Sequence, residues 1–498
     1  MLRIVNPATL ELVREIPCQT PDDVTAAVQR ARSAQPAWAA LGARQRGRAL
    51  RRLAARLLGD NELMDTLVAE SGKPRYEAEL IELFYTCELT RFYTGGVGRR
   101  ALRDDVRHPL VFANKKARVV YHARGVVGVI GPWNWPILNN FADCVAPLMA
   151  GNAVVLKPSE WTPLSSLRIR ALWQELGLPD VFAVVTGQAD AGRALCAQAD
   201  MIFFTGSQAA GRDVARTAGE RLIPAVVELG GKSAMVVLRD ADLPRAARAA
   251  VWSAFAHSGQ VCIRTERVLV EAPVADRFIQ FCADEIHRLR QGVPAREQAA
   301  PVALDVGAIT FPRQIAVAQE HIADALAKGA RVVTGGHAAG DLHGQFFPPT
   351  LIEHVTTDMR VMREETFGPV LPVMRVADAE EAMRVANDST LGLSGSVWSG
   401  DAGRARALAR RLESGSVCVN DALVNYFCVE APLGGVKQSG LGFRHGPEAL
   451  RQFCRIETIV EDRAGLRWLS AIVGRQLMFP YQTRTLRVLR WLMRRLYG

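Results

Sequence analysis

The chain has 498 residues, 49% of them hydrophobic and 22% charged, and a net charge of +10. Such a composition excludes a disordered or fibrous protein, and the length calls for two or three packed units rather than one. Seven arginines and no acid fall within residues 465–498, so the preceding 464 residues carry only +3, which argues against a nucleic-acid-binding body.

In chain order, residues 22–94 are rich in Ala, Leu and Arg with few breakers and read as helical. Residues 116–131 are rich in Val and Tyr and read as strand, with a turn at Arg124-Gly125. From 126 to 231, apolar runs at 126–130, 153–156, 181–185, 201–204 and 225–227 alternate with helical segments at 139–150, 164–176, 190–198 and 208–217. That alternation predicts an α/β fold with a doubly wound parallel sheet. A second alternation follows, with strands at 235–238, 267–271, 330–334 and 370–376 and helices at 273–291 and 312–328. The two parts meet near residues 230–233.

Nine cysteines are scattered at 18, 87, 144, 196, 262, 282, 418, 428 and 454, without a Cys-x-x-Cys pair or a histidine cluster at metal-ligand spacing. Free thiols in a reducing compartment and no metal are expected. Met1-Leu2-Arg3-Ile4-Val5-Asn6-Pro7 does not begin a charged segment followed by a long apolar run, and no 18-residue apolar stretch occurs. The expected location is therefore cytoplasmic, without a secretory leader or a membrane-spanning helix.

Cys262 closes the run His257-Ser258-Gly259-Gln260-Val261-Cys262, and Glu228 opens Glu228-Leu229-Gly230-Gly231-Lys232. A thiolate can attack a carbonyl and hold the product as a thioester, and a nearby carboxylate can activate the water that releases it. A lone cysteine is more often an inert buried residue, so its neighbours must decide. Thr205-Gly206-Ser207-Gln208-Ala209-Ala210-Gly211 follows a strand and opens a helix. It is either an ordinary turn or a phosphate cradle, since G-x-x-x-x-G departs from the dinucleotide fingerprint. Pro132-Trp133-Asn134-Trp135-Pro136 and Lys157-Pro158-Ser159-Glu160 end two strands, where open α/β sheets bind ligands. Each is either a structural loop or a site, with Asn134 as an oxyanion donor and Lys157 and Glu160 on ribose hydroxyls.

Together with Glu365-Thr366-Phe367-Gly368-Pro369 and Gly434-Gly435-Val436-Lys437, these motifs resemble the NAD(P)-dependent aldehyde dehydrogenase superfamily, from about Asn6 to Glu457. The resemblance implies an aldehyde dehydrogenase-like fold: a Rossmann-like cofactor domain (1–105 and 124–230), an α/β catalytic domain (231–447) and a small β oligomerisation arm (106–123 and 448–461). It implies Cys262 as nucleophile, Glu228 as general base and Asn134 as oxyanion donor. Lys157 and Glu160 would hold the ribose, Ser207 the pyrophosphate, and Glu365 with Phe367 the nicotinamide half. Trp133, Gly206, Leu229 and Gly230 fall on the cofactor side. NAD is the implied cofactor, with NADP as the alternative, because the Glu160 carboxylate would repel a 2′-phosphate. A homodimer or homotetramer is implied. Retention of Cys262, Glu228 and Asn134 argues against the rival reading, a catalytically silent membrane scaffold.

Residues 484–497, within a tail of residues 462–498, place Leu486, Val488, Leu489, Leu492, Met493 and Leu496 on one half of a helical wheel and five arginines on the other. Such a helix suits either an anionic membrane or packing on the protein. The ending is similar to that of fatty-aldehyde-type members, which implies a medium- or long-chain apolar substrate; an aromatic aldehyde fits equally. Leu423, Val424, Tyr426, Phe427 and Leu433 are candidate lining for its tunnel. No arginine lies among them to bind a second carboxylate.

Overall fold

The apolar runs between residues 126 and 228 lie side by side in one sheet, because strands buried on both faces need a continuous apolar sequence rather than an alternating one. Val126–Ile130, Ala153–Lys157 and Met201–Thr205 are buried at every position. The computed structural model describes residues 1–110, 112–294, 303–337, 340 and 342–497. Among these, the sheet runs in the order Gly440–Leu441, Ala225–Glu228, Met201–Thr205, Val126–Ile130, Ala153–Lys157, Phe182–Val184. All its pairings are parallel except that of Gly440–Leu441. Strand order reverses between Val126–Ile130 and Met201–Thr205, so the loops after Ile130 and Thr205 open at the switch point where such sheets bind ligands.

The second sheet has seven strands among the described residues, in the order Arg331–Thr334, Thr350–Glu353, Val370–Val376, Arg267–Glu271, Ala234–Val237, Ser394–Trp398, Ser416–Val419. Three of these are absent from the expected set: Thr350–Glu353, Ser394–Trp398 and Ser416–Val419. Ser394–Trp398 (SGSVW) carries too little apolar sequence to read as a strand, yet it is buried throughout between two parallel neighbours.

The helical stretch 22–94 is broken at Gly42, Asp60 and the Gly72–Pro74 region into Pro21–Ala40, Ala43–Leu58, Asn61–Ser71 and, after a π-helical segment Glu77–Phe84, Tyr85–Thr94. Thr20 and Asp60 cap two of these with side-chain oxygens. The helix expected at 139–150 is Ala142–Ala150, preceded by a π-turn, Ile137–Phe141.

By packing, the chain divides into a larger unit, Met1–Ala101 with Ala123–Phe453, and a smaller one, Leu102–His122 with Cys454–Gly498. Two expected boundaries shift. Gly440–Leu441 returns from the second part to pair with Ala225–Glu228, and the helix Gly446–Gln452 belongs to the larger unit, so the arm resumes at Cys454 rather than 448.

In the smaller unit the strands run in the order Cys454–Asp462, Lys115–Ala123, Asp105–Arg107. Ion pairs Lys116–Glu461 (3.0 Å) and His122–Glu457 (2.6 Å) cross the first pairing. Helices Arg467–Leu477 and Thr483–Tyr497 follow, with no buried residue in either. No described helix is long and apolar enough to cross a membrane.

Candidate active site

Cys262 is delivered by an unusual backbone. His257, Ser258 and Gly259 take φ values of +47°, +55° and +75° in succession, a conformation costly for the two non-glycine residues and typical of functional sites. It is held by the His257 amide donating to Glu77 Oε1 (2.8 Å) and Ser258 Oγ donating to the Gly307 carbonyl (2.9 Å). A Cβ on Gly259 would lie 2.4 Å from the Gly368 carbonyl oxygen, so only glycine permits this approach.

Cys262 opens onto a cavity of about 670 Å³ that runs along the carboxyl ends of the first sheet. Lys157, Glu160, Gly206, Ser207, Trp133 and Leu229 line it, as do Gly230, Glu365, Phe367, Asn134, Glu228 and Cys262. All twelve residues singled out from sequence therefore meet in one place.

The cavity suits a dinucleotide on several local grounds. Ser207 Oγ accepts the Ala210 amide at 3.4 Å and caps the helix Gln208–Glu220, which leaves its hydroxyl proton free for a phosphate oxygen at that helix N-terminus. Lys157 Nζ and Glu160 Oε2 stand 3.4 Å apart at one end. Gly230 is pressed against Glu365, whose carboxylate would be 2.1 Å from an added Cβ. Glu365 Oε1 accepts the Gly231 amide at 2.9 Å. The ring of Phe367 meets that of Trp133 edge-on at 5.4 Å.

At the other end, Asn134 Nδ2 donates to the Gln260 carbonyl at 2.8 Å. Glu228 ends the strand Ala225–Glu228, is only 4% exposed, and its Oε1 has no hydrogen-bond partner. Burial pushes its carboxyl up to about 8, against the opposing pull of Arg444, while Asp143 adds to the rise. Burial likewise pushes the Cys262 thiol up to about 12, again opposed by Arg444. Glu365 is raised to about 7, chiefly by burial and next by Glu266.

A second, apolar cavity adjoins Cys262 and is lined by Ile81, Trp135, Leu138, Asn139, Trp252, Ala256, Val261, Ile263, Leu423, Tyr426 and Phe427. Cys262 and Asn139 line both cavities. Of the apolar loop residues expected there, Val424 and Leu433 are absent. Val424 is exposed, and Leu433 is buried and paired through its backbone with Arg444.

Three supporting groups escaped the sequence reading. Glu266 is buried and accepts from Arg264 Nε (2.6 Å), Lys232 Nζ (2.6 Å) and the amides of Thr366 and Phe367 (3.1 Å each), so the Glu365 loop is anchored on a carboxylate held well below its usual range. Lys73 pairs with Glu82 and donates to the Asn134 carbonyl (2.9 Å), fixing the loop that carries Asn134. Arg444 is buried among Asn139, Asp143, Thr205 and Tyr426. Asn139, Asn140 and Asp143 in an otherwise apolar segment were the available signal for that last network.

Comparison with known proteins agrees with the geometry. The family model described as "Aldehyde dehydrogenase family" matches residues 1–459. The chain is 39% identical over 454 residues to "Putative succinate-semialdehyde dehydrogenase [NADP(+)] 2" of Mycobacterium ulcerans, covering 90% of this chain and 86% of the relative. It is 39% identical over 456 residues to "4,4'-diapolycopene aldehyde oxidase" of a Methylomonas species, covering 90% and 83%. Among solved structures, an aldehyde dehydrogenase of Mycobacterium tuberculosis complexed with NAD+ superposes with a TM-score of 0.86 at 31% identity, over 92% of this chain and 94% of the other.

Proposed function

Because the chain belongs to the aldehyde dehydrogenase family and oxidises aldehydes to acids with NAD(P), we propose that Cys262, Asn134 and Glu228 are its reacting groups and that its substrates are apolar aldehydes. The observation that carries this reading is the position of Cys262 between the dinucleotide-sized cavity and the apolar one. Cys262, after losing its thiol proton to water, attacks the aldehyde carbon as the thiolate, and the developing alkoxide takes the Asn134 amide and the Cys262 backbone N–H as donors. NAD(P), when bound, supplies the hydride acceptor that turns this adduct into a thioester. Glu228 then removes a proton from the water that attacks the thioester, and Cys262 departs as thiolate. The carboxylate favours hydrolysis over transfer of the acyl group to another thiol.

Lys157 and Glu160 would hold the adenosine ribose, and Ser207 the pyrophosphate. Glu365 and Phe367 would hold the nicotinamide half. Glu160 tips the choice toward NAD, since a 2′-phosphate beside a carboxylate is repelled.

The names of the relatives point to two substrate classes, a semialdehyde acid and a long apolar polyene aldehyde. The second suits this chain better, because the described lining of the cavity beside Cys262 holds no cation for a distal carboxylate. The test is NAD reduction with decanal, benzaldehyde and succinate semialdehyde by the wild type and Cys262→Ala. Decanal or benzaldehyde should give the higher kcat/KM, and Cys262→Ala should give none. Preference for succinate semialdehyde overturns the substrate assignment.

Two contacts complete the reading. The strand Cys454–Asp462 is an edge with Ile456, Ile459 and Val460 exposed, which suits pairing with a second copy in a homodimer or homotetramer. The tail helix Thr483–Tyr497 would lie on an anionic membrane face, consistent with a cytoplasmic enzyme whose cysteines are free thiols.

A further inference from the structure

We infer that Arg444 is a positioning residue for the hydrolytic half of the reaction: a fixed buried cation, set beside Glu228 and behind the wall that carries Cys262, whose charge is shared between Glu228 and Asp143. The inference rests on Glu228 acting as the base.

Arg444 is 5% exposed and its backbone is locked by two hydrogen bonds with Leu433 (2.8 and 2.9 Å). Nη2 donates to Thr205 Oγ1 at 2.9 Å. Thr205 is the register partner of Glu228 on the adjacent parallel strand. Register partners present their side chains on the same face, with the strands about 4.8 Å apart. Nη1 donates to Asn139 Oδ1 (2.7 Å) and to the Tyr426 hydroxyl (2.6 Å), two residues of the apolar wall beside Cys262. The guanidinium is therefore gripped by the wall of the site rather than by surface groups.

Its nearest counter-ion is Asp143 Oδ2, 3.5 Å from Nη1. Asp143 Oδ2 and Glu228 Oε1 are both buried without a hydrogen-bond partner. One cation thus faces two carboxylates, and each weakens its hold on the other. The remaining titratable groups around it are Tyr85 and Tyr93 on the helix Tyr85–Thr94, Tyr426, His445 and Cys262. Burial raises the tyrosines and Cys262 and keeps His445 neutral, so between pH 6 and about 9 Asp143 and Glu228 are the pair that responds to Arg444.

The experiment is the pH profile of kcat for the full-length wild type, Arg444→Met, Arg444→Lys, Asp143→Asn and Glu228→Gln. Arg444→Met should move the acid limb upward by about one unit, lowering kcat at pH 7 about ten-fold, with a smaller change in KM. Arg444→Lys should restore most of it. Asp143→Asn should move the limb downward, because Arg444 then serves Glu228 alone. Opposite shifts from two neighbours in one network do not arise from general loosening. An acid limb that stays in place in Asp143→Asn and in Arg444→Met, or that moves the same way in both, overturns the inference. Should Arg444→Met fail to fold, Asp143→Asn decides alone, and a limb that stays in place or moves upward there overturns the inference. Glu228→Gln separates the two levels: if it retains turnover with the wild-type limb, the base assignment fails, whereas loss of turnover there with an unmoved limb in the other variants rejects only the role of Arg444.

Discussion

The side-chain amide of Asn134 donates to the backbone carbonyl of Gln260 at 2.8 Å, so the group expected to stabilise the alkoxide is tied to the segment that carries Cys262 two residues later. The carbonyl of Asn134 in turn accepts from Lys73, and Glu82, which pairs with Lys73, accepts the amides of Ile137 (2.7 Å) and Leu138 (3.1 Å) on the far side of the loop. The donor is thus set before substrate arrives, which is what electrostatic stabilisation of a transition state requires. Asn134→Ala should lower kcat by about 10²–10³ with little change in KM. The fold should survive, since one hydrogen bond of about 1 kcal/mol is lost. A defect confined to KM would assign the amide to substrate binding instead.

The Lys73–Glu82 pair predicts a separation of stability from activity. Both side chains are fully buried, so Lys73→Met leaves an unpaired carboxylate and should destabilise the protein by about 3–5 kcal/mol. Lys73→Met/Glu82→Gln removes that charge and should recover much of the stability, read by denaturant unfolding. Turnover should stay low in the double variant, because the Asn134 carbonyl still lacks its donor. Full recovery of kcat would show that the pair serves folding alone.

The raised carboxyl of Glu228 predicts opposite pH trends in activity and stability. As the proposed base, Glu228 works deprotonated, so hydrolysis should increase as pH rises through about 8. Folding pulls the other way. The folded group binds its proton more tightly than the ordinary value of 4.5, so it favours the native state below that value, and the advantage is lost as pH rises through the folded value. Glu228→Gln mimics the protonated form. It should gain stability relative to the wild type between pH 5 and pH 9, by on the order of 3 kcal/mol, while losing thioester hydrolysis. A stability difference independent of pH would mean that the carboxyl is not held in this way.

Glu160 predicts the nucleotide preference. Its carboxylate stands 3.4 Å from Lys157 Nζ at the end of the cavity proposed to hold the ribose. Glu160→Gln should raise kcat/KM with NADP relative to NAD by about five-fold or more, since juxtaposed like charges cost on the order of 1 kcal/mol or more. An unchanged ratio would move the discrimination to another residue.

What could be read from sequence followed a physical divide. Val126–Ile130 and Ala153–Lys157 were legible because full burial leaves a continuous apolar run, and the loops after them because a ligand at strand ends demands Gly, Pro and polar residues at set offsets. Ser394–Trp398 was not, since its burial is supplied by its neighbours and not by its own composition. Arg444 was passed over because its meeting with Asn139 joins residues 305 positions apart, a contact that closes only when the chain returns through Gly440–Leu441 to the first sheet. Val424 and Leu433 show the converse: apolar character suggested the substrate cavity, but the turn Val424–Phe427 leaves Val424 exposed, and Leu433 is buried where its backbone pairs with Arg444.

The tail gives the last prediction. In Thr483–Tyr497 no residue is buried, and Leu486, Val488, Leu489, Leu492, Met493 and Leu496 are exposed beside five arginines. Arg495 lies over the Trp491 ring at 5.0 Å, within the arginine-bearing half of the helix. An exposed apolar stripe flanked by cations gains from a lipid surface twice, by burying the stripe and by about 1 kcal/mol for each arginine near anionic headgroups. Full-length protein should therefore co-sediment with vesicles containing phosphatidylserine. Binding should fall with phosphatidylcholine alone and at high salt, where screening removes the second contribution. Arg487→Glu/Arg490→Glu/Arg494→Glu should abolish binding and leave the oxidation of short soluble aldehydes unchanged. A chain ending at Asp462 should likewise stay in the supernatant. Equal pelleting of the truncated, charge-reversed and full-length proteins would reject the membrane contact and leave the helix to cover the protein itself.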